Sequence, residues 1–107
     1  MEIEQEKHSL EEQSLVVVDF LKNLCNVYRL QILCLLMEKE EMCVNHLREK
    51  IGDGKLTHSA VSQHLTRMRE DGLLTSRRDA QECYYKISDE KVIQIMTSLK
   101  EVFCSLK

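Results

Sequence analysis

Between Val44 and Gly72 two stretches of helical periodicity are separated only by the run "GDGKL". Val44, Leu47 and Ile51 share one face of the first stretch, and Ala60, Val61, Leu65 and Met68 recur at core spacing in the second. Gly52 and Gly54 mark the turn, Thr57 can cap the second helix, and Gly72 can take the left-handed conformation that ends it. The stretch 44–72 is therefore predicted to be a helix-turn-helix.

After Gly72 the period changes from helix to strand. "LLTSRRD" and "CYYKIS" are short, rich in β-branched or aromatic residues, and separated by "AQE", the length of a hairpin connection. Cys83, Tyr85 and Ile87 fall on one strand face, Tyr84 and Lys86 on the other. Residues 73–88 thus predict a basic two-stranded wing. Upstream, Ser9 and Glu12 fit a capping box, and Leu10, Leu15, Val17, Val18, Leu21 and Leu24 follow at helical spacing, a first helix over 9–24. Asn26 caps a second helix over about 27–38, and "KEEMC" is a polar break. From Asp89 a fifth helix carries the stripe Val92, Ile95, Met96, Leu99, Phe103 and Leu106. The expected fold is mainly α with a β-hairpin: a winged helix-turn-helix of five helices and a two-stranded wing, one domain over 1–107.

At 107 residues the chain is long enough for one core and too short for two. The acidic start "MEIEQEKHSLEEQ" is unlike an export signal, and the runs "LVVV" and "ILCLLM" are far below the ~18–20 apolar residues of a membrane span. A cytoplasmic location without membrane association is expected. Five cysteines, an odd number, in a reducing compartment argue against a disulfide framework and leave metal ligation, redox chemistry or packing open. No nucleophile–base–acid set or phosphate loop appears, so neither an enzyme nor a cofactor is expected.

Net charge is −3, but it is unevenly spread: residues 1–14 carry five Glu against one Lys, whereas 55–78 carry five Lys or Arg against two acids. A basic face on an acidic body is an electrostatic footprint suited to DNA, although a solvated charged face has the same composition. In a helix-turn-helix the second helix offers its N-terminal side chains to base edges. Here its apolar spacing turns Ser59, Ser62, Gln63, Thr66 and Arg67 outward, and Thr57 stands at its N-terminus, itself a phosphate site. Gln63 suits adenine, Arg67 guanine or phosphate, and the hydroxyls either bases or backbone. His58 and His64 are candidate contacts on the same helix, and Arg77 and Arg78 are expected at the wing tip, along the DNA backbone or minor groove.

"LCNVYRLQIL", "SAVSQHLTRMREDGLL" and "RRDAQECYYKI" resemble the ArsR/SmtB family of bacterial winged-helix repressors, over about residues 20–104. The resemblance implies a homodimer built on the first and last helices (9–24 and 89–106). It also implies binding to an inverted repeat in double-stranded operator DNA, with repression released by an inducer. The "GDGKLT" turn is about two residues longer than the family's usual one.

The cysteines bear on the inducer. Where metalloid-sensing members carry "CVC", this chain has "MCVNHL": Cys43 is present, but Asn45 replaces the second thiolate, and Cys43 with His46 makes only two ligands. Metal sites need three or four ligands, and Asn is poor for a soft ion. Cys34 in "RLQILC" and Cys104 near the end of the last helix resemble the dithiol, BigR/SqrR/HlyU-like branch. By that resemblance they are the redox-sensing pair, joined under reactive sulfur species or other oxidants. Cys104 also lies off the stripe of Leu99, Phe103 and Leu106, as a residue facing a second surface would. From Leu30 to Met37 only Gln31 is polar, so Cys34 reads as a buried thiol and Cys104 as the first nucleophile. Two alternatives stay open: a metal(loid)-responsive repressor using Cys43 and neighbouring ligands, and a winged helix that binds protein rather than DNA.

Overall fold

The computed structural model describes residues 9–103. Helix α1 (Leu10–Leu24) begins with the expected capping box: Ser9 Oγ accepts from the Glu12 amide at 3.0 Å, and the Ser9 amide donates to Glu12 Oε1 at 3.2 Å. Helix α2 (Val27–Lys39) starts at Asn26, whose Oδ1 accepts from the amides of Tyr28 and Arg29 at 2.9 and 3.1 Å. A short strand β1 (Met42–Cys43) leads into α3 (Val44–Lys50), and a turn with 3₁₀ character (Ile51–Gly54) joins α3 to α4 (His58–Glu70). Strands β2 (Leu74–Asp79) and β3 (Glu82–Ile87) form the hairpin, and α5 (Glu90–Phe103) follows. Leu106, placed in the last helical stripe, lies outside the described residues.

Helix α4 closes on a Schellman motif. The Gly72 amide donates to the Arg69 carbonyl at 3.0 Å and the Leu73 amide to the Met68 carbonyl at 2.9 Å, with Gly72 at φ 86°. Leu73 is thereby turned into the core and the chain enters β2. Ser88 seals the other end of the hairpin, its amide donating to the Leu73 carbonyl and its hydroxyl to the Gly72 carbonyl.

The two strands of the wing pair as expected, and a third strand joins them at the β3 edge. Its order is β1-β3-β2, all antiparallel, with Met42 opposite Tyr85 and Cys43 opposite Tyr84. "KEEMC" is therefore a break only in its first half. A two-residue strand shows no periodicity, and its partner lies far along the chain.

One core joins α2, α3, α4, the sheet and α5: Ile32, Leu33, Leu47, Ile51, Val61, Leu65, Met68 and Val92 are fully enclosed. No charged or polar residue is buried among the described residues. Helix α1 contributes only Leu24, with Phe20 partly covered; Leu10, Leu15, Val16, Val17, Val18 and Leu21 are exposed. Helix α5 is split in the same way, burying Val92 and Met96 while Ile95, Val102 and Phe103 face outward. No described helix is long and apolar enough to cross a membrane.

Candidate nucleic-acid interface

Helix α4 rests on Val61, Leu65 and Met68, all fully buried, which fixes its rotation. The opposite side presents Ser59, Gln63 and Arg67 to solvent, with Ser62 and Thr66 half-buried beside them. Together with Glu70 these residues line a shallow groove of about 370 Å³. Thr57 Oγ1 accepts from the Ala60 amide at 3.0 Å, so its oxygen is used as a cap while its hydroxyl proton remains a donor.

Between α4 and the wing runs a cleft of about 500 Å³, whose lining includes His58, Ser62, Thr66, Arg69, Arg78 and Cys83. His58 Nδ1 lies 3.5 Å from Ser62 Oγ, one helical turn on. At the floor, Tyr85 bridges wing and helix. Burial, and then the neighbouring Cys83 thiol, push its phenol above the ordinary 10.0, while Arg69 and a hydrogen bond with Thr66 act the other way. Arg77 and the half-buried Glu82 also line this cleft, so its arginines, Arg69, Arg77 and Arg78, outnumber its one carboxylate, a balance that suits a phosphate-backbone seat.

The two wing arginines are not at the tip. Both lie on β2, ahead of the Ala80–Gln81 turn, and strand alternation sends them to different faces. Arg78, opposite Cys83, lines the helix–wing cleft. Arg77 forms a bidentate pair with Glu41, Nε to Oε2 at 2.8 Å and Nη2 to Oε1 at 2.9 Å, and its guanidinium sits 4.7 Å from the centre of the Tyr84 ring. The hydrogen bond from Arg77 holds the Glu41 carboxyl below its ordinary range, and Glu41 in turn raises Arg77. No local sequence signal marks this latch between the end of α2 and the wing.

His64 also departs from the outward row. It is half-buried against α2, its ring 6.0 Å from that of Tyr28 at 54°. Burial, and then the nearby Arg29 and Arg67, lower its pKa below the ordinary 6.5, so the neutral ring is favoured.

The cysteines are widely spread. Cys34, expected to be buried, is exposed: α2 turns Ile32, Leu33 and Leu36 inward and leaves Cys34 on the opposite side. It opens into a surface depression of about 300 Å³ lined by Leu30, Gln31, Leu35, Lys50 and Asp53. The argument for Cys104 as first nucleophile rested on burial of Cys34 and loses that basis; Cys104 itself lies outside the described residues. Cys43 is half-buried on β1, Cys83 half-buried in the wing, and Cys25 exposed where α1 ends. Among the described residues no three His, Cys, Asp or Glu side chains converge as metal ligands would.

This geometry has clear counterparts. The sequence pattern of the "Bacterial regulatory protein, arsR family" matches residues 26–76. The nodulation protein NolR of Rhizobium meliloti is 41% identical over 98 residues, covering 92% of this chain and 75% of that protein. The transcriptional activator HlyU of Vibrio cholerae is 37% identical, covering 89% of this chain and 84% of its own. The solved structure of reduced HlyU superposes with a TM-score of 0.80 at 36% identity, over 90% of this chain and 97% of that one. The transcriptional repressor BigR of Xylella fastidiosa superposes at 0.78 with 30% identity, over 91% and 95%. The exposed polar row of α4, the basic helix–wing cleft and the likeness over nearly all of the chain agree: this is a winged-helix, DNA-binding transcriptional regulator belonging to the arsR family.

Proposed function

We propose that the chain works as a homodimeric repressor whose grip on an inverted-repeat operator is switched by oxidation or persulfidation of Cys34 with Cys104. The observation that carries the switch is the exposure of Cys34 on the helix that supports the reading head, within a depression shared with the turn before α4. A thiol so placed is within reach of small oxidants, and a link to the last helix would pull on the helix-turn-helix.

Dimerisation is supported by the open apolar residues of α1 and α5, which no part of the described chain covers. A second copy related by a two-fold axis would bury both sets against themselves (residues 9–24 and 89–106) and present two α4 helices to successive major grooves, about 34 Å apart. Residues 44–72 and 73–88 then act as reading head and wing. Thr57, His58, Ser59, Ser62, Gln63, Thr66 and Arg67 are the reading residues, Arg78 seats the backbone, and His64 and Arg77 hold the head and wing in position. A relative solved as a transcriptional repressor, and another solved in a form described as reduced, fit a redox-governed repressor.

The chemistry balances with an external oxidant. A Cys34 thiolate attacks a sulfane sulfur of a polysulfide, forming a persulfide and expelling the shortened polysulfide. The Cys104 thiolate then attacks the inner sulfur and expels hydrosulfide, leaving a disulfide. With peroxide the same two electrons reduce the oxidant to water. The test uses a duplex that the wild-type chain itself enriches from a random pool. Its affinity is measured for wild type, Cys34→Ser and Cys104→Ser with polysulfide, peroxide or zinc, beside intact-mass analysis. Loss of binding in wild type alone, on polysulfide or peroxide, supports the reading. Release by both serine variants sinks the dithiol, and release by zinc alone would favour a metal-responsive repressor using Cys43.

A further inference from the structure

Gln31 is the only polar side chain from Leu30 to Met37, and it has a specific use. Its Oε1 accepts a hydrogen bond from the Gly52 amide at 2.7 Å, tying the middle of α2 to the turn between α3 and α4. That turn runs through three consecutive left-handed residues. Gly52, Asp53 and Gly54 all have positive φ, at 60°, 57° and 75°, and a Cβ on Gly52 would collide with Leu56 and crowd the Tyr28 ring. Leu56 leads directly into Thr57, the cap of α4, so the path of the turn sets where the reading helix begins.

Cys34 lies one helical turn beyond Gln31, and both line the depression that Lys50 and Asp53 complete from the other side. A group bonded to the Cys34 sulfur within that depression, or drawing it toward another helix, therefore lies beside the turn that Gln31 holds. We propose that Gln31 is the positioning residue that transmits the state of Cys34 to α4. Modification or cross-linking at Cys34 separates α2 from the turn, the Gly52 amide leaves Gln31, and the N-terminal end of α4 shifts out of register with the operator. This inference rests on the thiol-switched reading and deepens it, because it names the bond that the switch must break.

Two measurements on the full chain test it. In wild type, exchange of the Gly52 amide with solvent is slow in the reduced protein and accelerates at least tenfold once Cys34 is oxidised with polysulfide; unchanged protection overturns the proposal. In Gln31→Met, which keeps the side-chain length and removes the acceptor, the reduced protein binds the selected duplex within about threefold of wild type. Its loss of affinity on oxidation shrinks from the 5- to 150-fold range usual for such coupling to about twofold, although intact mass shows Cys34 modified to the same extent. Gln31→Glu, which keeps an acceptor oxygen, restores the response. If Gln31→Met responds as wild type does, or has already lost its affinity when reduced, Gln31 is not the relay. A wild type that holds the duplex with Cys34 fully modified removes the switch and the relay together.

Discussion

Helices α1 and α4 carry equally clear helical periodicity and end in opposite conditions. Helix α4 encloses Val61, Leu65 and Met68 completely, whereas α1 leaves Leu15 at 62%, Val16 at 69% and Leu21 at 51% exposure. The apolar pattern of α4 is satisfied within the chain, and that of α1 is not. The difference separates two stripes that look alike in sequence: one builds the domain, and the other stays open in the described chain and is the surface proposed above for the dimer. Large exposed apolar patches of this kind mark association surfaces.

Substituting one residue in each helix tests this difference. Leu65→Ala should lower the unfolding free energy by about 2–5 kcal/mol, read by denaturant titration, because it opens a cavity in a filled core. Leu15→Glu should leave the fold present by circular dichroism but move the protein to monomer in analytical ultracentrifugation, with operator affinity falling alongside. If Leu15→Glu unfolds the chain as Leu65→Ala does, the two stripes are not different in kind.

A second contrast lies within the interface. Gln63 and Arg67 stand on the exposed side of α4, while Arg78 lines the helix–wing cleft. Alanine at Arg67 should cost about 1–3 kcal/mol against the selected duplex and relax base preference at one position. Alanine at Arg78 should weaken all duplexes alike and lessen the slope of log affinity against log salt by about 0.9. Fluorescence anisotropy over a salt series separates the two, and a sequence-specific effect at Arg78 would reverse their roles.

The smallest effect concerns His64 on α4. Because the folded state holds the His64 pKa below the ordinary 6.5, the unfolded chain binds more protons in the interval between them. Stability should therefore fall as pH drops below 6.5, and recover as pH rises through it. His64→Gln should flatten part of that dependence in thermal melts at several pH values. A pH dependence left intact in His64→Gln would place the penalty elsewhere.

The caps were legible because each is local. Ser9 with Glu12, Asn26, Thr57 and Gly72 all act where their residue types predict, since a cap needs only its own few neighbours. The reading row of α4 was legible for the related reason that its apolar stripe leaves one choice of outward face. Helix α2 offers no such choice. With apolar residues on nearly every side, its pattern could not show whether Cys34 or Leu33 points inward, and the buried reading of Cys34 was wrong. Arg77 and Arg78, adjacent in sequence, were assigned one role; strand pleating gave them two faces and put a distant carboxylate beside only one of them.

Spacing and self-bonding side chains were thus enough to specify the five helices, the hairpin and the caps that bound them. Tertiary structure alone decided three things: that Met42 and Cys43 pair into the wing, that Arg77 is latched to Glu41, and that Gln31 holds the turn before α4. Each is a contact between segments far apart in sequence, and no local preference encodes a partner that only folding brings near.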